Sequence, residues 1–242
     1  MNTLLLVMIS IVAGLREVSA QDAECVRERA AMVETIRGYA RSHGVFGQQK
    51  PSERVLEAMG QTQRHLFIPE RSCSIAYADM PVPIGFGQTI SQPLIVALMT
   101  QLANVAPDDV VLEIGTGSGY QAAVLARLAR NVCTIEIIPQ LAEAAAKTLR
   151  ELAYDNVNVR RGDGYAGWPE CSPFDAIVVT AALGQVPQPL IEQLRVGGRL
   201  VMPVGPAYTT QQLTVVEKIG PSETTTRVVG LVRFVPFTRS PD

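Results

Sequence analysis

Histidine is scarce in this chain: His43 and His65 are the only two in 242 residues, and neither stands in a recognisable triad context. They also share no ligand spacing with the cysteines, so no metal site is expected. A G-x-S-x-G turn is missing as well, because Ser118 sits directly between Gly117 and Gly119, which disfavours serine hydrolysis. Positive charge is in short supply. With 21 Lys and Arg against 23 Asp and Glu the net charge is −2, so no basic face offers itself and nucleic acid is not an expected partner. Internal repeats and low-complexity tracts are absent. What remains is 47% hydrophobic and 18% charged, the balance of a globular chain long enough to bury a sizeable core.

Residues 1–20 stand apart. The run from Leu4 to Leu15 is apolar and of signal-peptide length, and Val18-Ser19-Ala20 is an acceptable cleavage site before Gln21. A basic n-region is lacking. The expectation is a cleaved leader and no stable membrane association afterwards. The cysteines Cys25, Cys73, Cys133 and Cys171 are scattered and do not settle the compartment; Cys133, inside an apolar strand, reads as a buried thiol.

Past the leader, Glu24 to Ser42 has helical spacing, with Val26, Ala30, Val33, Ile36 and Tyr39 on one face. A second short helix is expected from Pro51 to Met59, an irregular Pro/Gly-rich segment from Phe67 to Gln92, and a helix from Gln92 to Ala103. Alternation then begins. Strands are expected at 110–114, 132–136, 157–160, 175–180 and 199–203, with helices at 119–130, 139–152 and 188–195. Such alternation makes an α/β fold with a doubly wound, mostly parallel sheet. Gln211–Lys218 and Thr226–Val235 close it as an antiparallel edge pair. Residues 21–103 form a helical and substrate-binding segment, and 104–242 the core, in one compact domain.

The chemistry concentrates after the first of these strands, at Val110-Val-Leu-Glu-Ile-Gly-Thr-Gly-Ser-Gly-Tyr120. Gly115, Gly117 and Gly119 let the backbone turn sharply and approach a ligand where a strand hands over to a helix. That is a nucleotide site. A dinucleotide fingerprint needs its third glycine one residue later, at the place Tyr120 holds. Glu136 ends the second strand, where an acid can accept from both ribose hydroxyls. Asp163, beside Gly164 in Arg161-Gly-Asp-Gly164, suits an exocyclic amine. Glu113, Glu136 and Asp163 thus stand near three successive strand ends, supplying the acceptors that a ligand rich in donors and positive charge needs.

The loop G-x-G-x-G after Glu-x-Gly resembles that of S-adenosyl-L-methionine-dependent methyltransferases. The Asn/Asp-Pro-Pro-aromatic motif of amino-nitrogen methylation is missing, since its place reads Val179-Thr-Ala-Ala-Leu183. Arg64-His-Leu-Phe-Ile-Pro69, Ala76-Tyr-Ala-Asp-Met-Pro-Val-Pro-Ile-Gly85 and Gly87-Gln-Thr-Ile-Ser-Gln-Pro93 resemble protein-L-isoaspartate O-methyltransferases. So do Gly162 to Trp168, Gly197 to Gly205, and Val232-Arg-Phe-Val-Pro236. The resemblance runs from Glu24 to Thr238, and only the leader departs from it.

This resemblance implies a Rossmann-like class I methyltransferase fold with S-adenosyl-L-methionine as cofactor. Its substrates would be isoaspartyl proteins and peptides, methylated on the free α-carboxylate; the ester then closes to a succinimide. No general base is needed, because a carboxylate with pKa about 4 is already ionised. Ser91 matches the family's active-site serine, with Thr89 beside it; Ser91 also fits an N-cap of the following helix. Glu113, Gly115, Gly117, Gly119, Glu136, Asp163, Gly164 and Thr238 are expected at the cofactor. A monomer is expected. Cofactor supply and family habit place the enzyme in the cytoplasm, with periplasmic export as the rival. The alternatives are a same-fold methyltransferase of a small-molecule oxygen or carboxylate, and a binding module without transfer.

Overall fold

The computed structural model describes residues 20–41 and 50–239, so the proposed leader, all but Ala20, lies outside the described residues. Helix α1 (Ala20–Arg41) is followed by α2 (Glu53–Gln61), a 3-10 turn over Arg64–Phe67 and the short α3 (Cys73–Tyr77). The buried stripe of α1 is Cys25, Met32 and Ile36, whereas Val26 and Tyr39, expected inward, are exposed. The stripe is turned because Cys25 is bonded to Cys73 of α3, with Cα atoms 4.9 Å apart.

The segment expected to be irregular contains a small hairpin, β1 (Val82–Gly85) and β2 (Gln88–Ile90), joined through Phe86 and Gly87, both at positive φ. Helix α4 (Pro93–Ala103) follows. Its first turn is capped by Asp79, which accepts from the Leu94 N–H at 2.9 Å, and Gln92 holds the N-cap position. The cap alternative for Ser91 therefore does not hold.

The remaining chain alternates as its pattern predicts: β3 (Val110–Ile114), α5 (Tyr120–Ala126), β4 (Asn131–Glu136), α6 (Pro139–Glu151), β5 (Val157–Arg161), β6 (Phe174–Val179), α7 (Gln188–Glu192), β7 (Leu194–Val204), β8 (Gln211–Lys218) and β9 (Thr224–Val232). They form one sheet in the order β5-β4-β3-β6-β7-β8-β9. The first five strands in this order are parallel, and β8 and β9 pair antiparallel. β3 is an interior strand, third in this order, and all five of its residues are buried, the near-continuous apolar reading of a strand covered on both faces. Apolar side chains pack on each side. One cluster joins α1, α2, α4, α5 and α6 to the sheet, and the other sets Leu190 of α7 against Leu112, Ile177 and Leu200.

Helix α7 ends at Glu192 instead of 195 because the chain is already paired with β6 there: the Phe174 N–H donates to the Gln193 carbonyl at 2.8 Å. The expected free thiol of Cys133 is also corrected. It is bonded to Cys171, which comes from the loop before β6, with Cα atoms 6.8 Å apart. In the chain-entropy account, bridges of this span each stabilise by about 4 kcal/mol.

Lys218, only 8% exposed, ends β8 and donates to the carbonyls of Ile191, Glu192 and Leu194 at 3.0, 3.1 and 2.8 Å. An ammonium at a helix C-terminus satisfies carbonyls that have no intrahelical partner. Lys218→Met should cost about 2–3 kcal/mol by orphaning these groups. Chemical denaturation reads the loss directly, and an unchanged midpoint would contradict this anchoring role.

Candidate active site: a glycine-loop cleft open to a hydroxyl-lined groove

β3 is where the sheet order changes direction, since β4 lies on one side and β6 on the other. A crevice outside the carboxyl ends of the strands is expected there. The ladder continues into the loop: the N–H groups of Gly115 and Thr116 both donate to the Ile135 carbonyl, at 2.9 and 3.2 Å. Gly115 has φ +95°, and a Cβ there would collide with the hydroxyl of Thr180 from the end of β6. That hydroxyl reaches the carbonyls of Ile114 and Gly115 at 3.1 and 2.8 Å, locking the turn from the other side.

Glu136 is buried and uses both carboxylate oxygens on the backbone. One accepts from the Gly117 N–H at 2.7 Å, the other from the Ile138 N–H at 2.9 Å. Each oxygen keeps a second lone pair for a hydroxyl donor from the cleft. The cleft lies against the carboxyl ends of β3 and β4, with Ile114, Ile135 and Glu136 in its lining. Gly115, Gly117, Glu136, Gly162 and Gly164 line one side, and Val235 to Thr238 cover the other. The cover is held by Ala182, whose N–H donates to the Val235 carbonyl and whose carbonyl accepts from the Phe237 N–H, both at 2.8 Å.

Glu113 lies deeper, below the loop. The Thr134 hydroxyl donates to one of its oxygens at 2.6 Å and is itself 2.6 Å from the Thr116 hydroxyl. The other oxygen is buried with no partner among the described residues. Desolvation pushes its pKa up to about 8, the Thr134 bond opposing and the nearby Glu136 charge adding to the shift. A cavity touching Glu113, Thr116, Ser118 and Tyr120 opens between it and Thr89, Ser91 and Thr180. An orphaned, acid-lined recess beside a cradle that a Cβ would fill fits a nucleoside carrying a cationic tail.

Two predicted residues serve differently. Gly119 has φ +90° and packs against Leu149 and Ala145 of α6, so it starts α5 and does not line the cleft. Asp163 stands between two lining glycines, but its carboxylate accepts from the Tyr165 N–H at 2.9 Å and pairs with Arg239 at 2.7 Å. The Arg239 guanidinium also lies 3.8 Å from the Tyr165 ring centroid, so the C-terminal segment is clasped to this side of the site.

A wider groove continues outward from the cleft. Thr89, Thr180 and Thr238 line both, and Ser91 lines the groove. The Ser91 hydroxyl makes no hydrogen bond among the described residues, and its side chain is partly exposed. Phe86, Tyr208 and Leu231 stand exposed on the groove's walls. Thr180 has no sequence signal beyond its place after the fourth core strand, in Val179-Thr-Ala-Ala-Leu183, because its role depends on carbonyls more than sixty residues away.

The fold also gathers what spacing did not suggest: the ligand-capable atoms of Cys25, His65 and Cys73 lie within 4.8 Å of one another. The two sulfurs are bonded together, and His65 Nδ1 is 2.8 Å from the Tyr77 hydroxyl.

A doubly wound sheet with a glycine loop, a strand-end carboxylate and a cleft at the switch point defines the class of nucleoside-dependent α/β transferases. Residues 34–241 match the protein-L-isoaspartate(D-aspartate) O-methyltransferase family. The chain is 50% identical over 236 residues to protein-L-isoaspartate O-methyltransferase 2 of Syntrophobacter fumaroxidans, covering 97% of this chain and 95% of that one. It is 51% identical over 228 residues to protein-L-isoaspartate O-methyltransferase 1 of Cupriavidus necator, covering 94% and 86%. Among solved structures, a Plasmodium falciparum protein-L-isoaspartate O-methyltransferase in complex with S-adenosyl-L-homocysteine superposes with a TM-score of 0.74 at 26% identity, covering 88% of this chain and 99% of that one. The chain belongs to the protein-L-isoaspartate O-methyltransferase family.

Two outcomes follow for the site. Glu136→Ala should weaken binding of S-adenosyl-L-homocysteine roughly ten- to a hundredfold, as expected for losing about 1.5–3 kcal/mol of charged hydrogen bonding; unchanged calorimetric affinity in a folded variant would refute the role. For Glu113, the folded state holds a proton between the ordinary value of 4.5 and about 8, where the unfolded chain does not. Stability of the ligand-free protein should therefore fall as pH rises through that window. Glu113→Gln should remove this part of the slope, and identical pH profiles for the two proteins would show that the carboxyl is not raised.

Proposed function

We propose that this protein transfers the methyl group of S-adenosyl-L-methionine to the free α-carboxylate of L-isoaspartyl residues in damaged proteins and peptides, starting their return to aspartate through a succinimide. The observation that carries the reading is the meeting of cleft and groove at neutral hydroxyls: Thr89, Thr180 and Thr238 at the junction and Ser91 just outside it. When bound in the cleft, the cofactor supplies a methyl group on a positively charged sulfur, and its transfer to a carboxylate oxygen leaves the ester and S-adenosyl-L-homocysteine.

The protein's own part is to hold. Glu136 and the glycine loop grip the nucleoside, and Gly162 and Gly164 let it lie close to the backbone. Glu113 offers its unpartnered oxygen to the positive end of the ligand. The Thr89 and Ser91 hydroxyls, not that of Thr180, whose O–H is taken by the loop carbonyls, orient the acceptor carboxylate without neutralising it, so its oxygen stays nucleophilic while Val235–Phe237 screen the junction from water. The acceptor is already ionised at neutral pH, so the lack of a histidine in the cleft lining is no obstacle.

The exposed apolar side chains of Phe86, Tyr208 and Leu231 suit a peptide that approaches in extended form. One chain supplies both halves of the site, which supports action as a monomer. As to compartment, cytosolic synthesis of the cofactor speaks for the cytoplasm. Two cystines speak for export through residues 1–20, because cytosolic thiols are kept reduced. We favour the exported reading on that observation.

Labelled methyl should enter an isoaspartyl peptide and not its aspartyl twin. Equal labelling of both would sink the specificity, and no labelling by a protein that binds the cofactor would sink the enzyme. Ser91→Ala should lower turnover on the isoaspartyl peptide by about tenfold while leaving cofactor affinity nearly intact, the loss expected for one orienting hydrogen bond. A parallel fall in cofactor affinity would move Ser91 into the cofactor pocket instead.

A further inference from the structure

The two cystines fall on opposite halves of the active site. Cys133 sits on β4, the strand that ends in Glu136, and Cys171 ends the loop that begins at Gly162 and Gly164. This bridge is a covalent tie between the two elements whose ends, Glu136 and Gly162 to Gly164, line the nucleoside cleft, although the sulfurs themselves lie outside that lining. The Asn131 side-chain amide rests on both sulfurs, at 3.6 and 3.8 Å, and also donates nothing to the cleft itself. Elsewhere the loop is held without a covalent bond: the Gly162 N–H donates to the Glu136 carbonyl at 2.9 Å, Arg160 Nη2 to the Gly167 carbonyl at 2.6 Å and the Trp168 N–H to Gln193 at 2.8 Å, and Asp163 and Glu170 pair with Arg239 and Arg160.

Cys25 and Cys73 tie α1 to α3 on the other side. Helix α3 leads directly into Asp79, whose carboxylate accepts from the Gln92 side chain and the Leu94 N–H, both at 2.9 Å. Those two bonds fix the chain just after Ser91. Helix α1 adds Tyr39 to the wall of the substrate groove. Movement of the α1–α3 pair would thus reach the groove directly, and the glycine loop only at second hand, through Arg64 between the Ala76 carbonyl and the Tyr120 ring.

We propose that the cystines are separate positioning clamps, Cys133–Cys171 setting cofactor affinity and Cys25–Cys73 setting the fit of the peptide acceptor. Each forms when its two thiols pass two electrons and two protons to a disulfide-bonded oxidant by thiol–disulfide exchange. A bridge that only restrains the unfolded chain raises stability without separating two binding constants. A clamp changes the one constant whose residues it holds, because small displacements of preorganised groups weaken binding steeply. The peptide half of this proposal rests on the isoaspartyl methyltransferase reading. The cofactor half does not, since it is measured without an acceptor.

The test uses the full chain isolated from its host without reductant. Mass spectrometry after alkylation should find no free thiol; four alkylated cysteines would overturn the proposal. Two double variants are then compared with the parent, Cys133→Val with Cys171→Ala, and Cys25→Ala with Cys73→Ala. The first should weaken S-adenosyl-L-homocysteine binding about three- to tenfold with little change in peptide KM, and the second should raise peptide KM by a similar factor with a clearly smaller change in cofactor affinity. Constants that move together, or do not move, in folded variants overturn the assignment. Should either variant lack a cooperative thermal transition, the parent is reduced with a phosphine, alkylated and measured again. Both constants should then rise, and two unchanged constants overturn the clamps. Failure of peptide methylation in the unmodified parent, with cofactor still bound, strikes the functional reading and leaves the Cys133–Cys171 comparison intact.

Discussion

The hydrogen bond from the Gly117 N–H to Glu136 is the constraint on which the active site depends, because it joins the loop after one strand to the end of the next. It forms only if β3 and β4 are paired in parallel and in register, Ile114 beside Ile135. Given that register, Gly115 and Thr116 extend the ladder onto the Ile135 carbonyl, and Thr180 closes the turn from β6. The loop's shape is therefore set by both neighbours of β3. A glycine-rich sequence alone would leave it free to take many conformations.

Electrostatically the site is built for a cation and a carboxylate at once. Its acids lie beneath and beside the glycine loop, and the junction with the groove carries no charged side chain: Gln88, Thr89, Thr180, Val235, Pro236 and Thr238 line both. Glu113, buried and pushed up to about 8, is neutral at neutral pH in the ligand-free protein, so its burial costs little there.

The groove is lined by chain from before the sheet and from its far edge and C-terminal segment, and Arg64 joins the earlier part to the core. It is fully buried, donates to the Ala76 carbonyl at 2.6 Å and lies 4.8 Å from the centroid of Tyr120, the first residue of α5. Burial lowers its pKa to about 10, so it stays charged at neutral pH. A guanidinium stacked on an aromatic face is the interaction that lets a buried cation serve as a joint. Through it the segment bearing Thr89 and Ser91 is fixed relative to the helix that the glycine loop starts.

Local pattern by itself determined the strand–helix alternation, the glycine turn and the acidic strand ends, because apolar periodicity and glycine spacing are written into neighbouring residues. The motifs from Arg64 to Pro93 also pointed to the family. Pattern did not determine the hairpin at Val82–Ile90, whose short strands are stabilised by contacts beyond their own sequence. Nor could it show that Asp163 answers to Arg239, that Gly119 serves helix packing, or that Thr180 guards the loop. Each of these depends on a partner distant in the chain. The cystines make the same point most simply: four scattered cysteines carry no pairing in their spacing, and only the packing of α1 on α3 and of the 162–173 loop on β4 brings the sulfurs together.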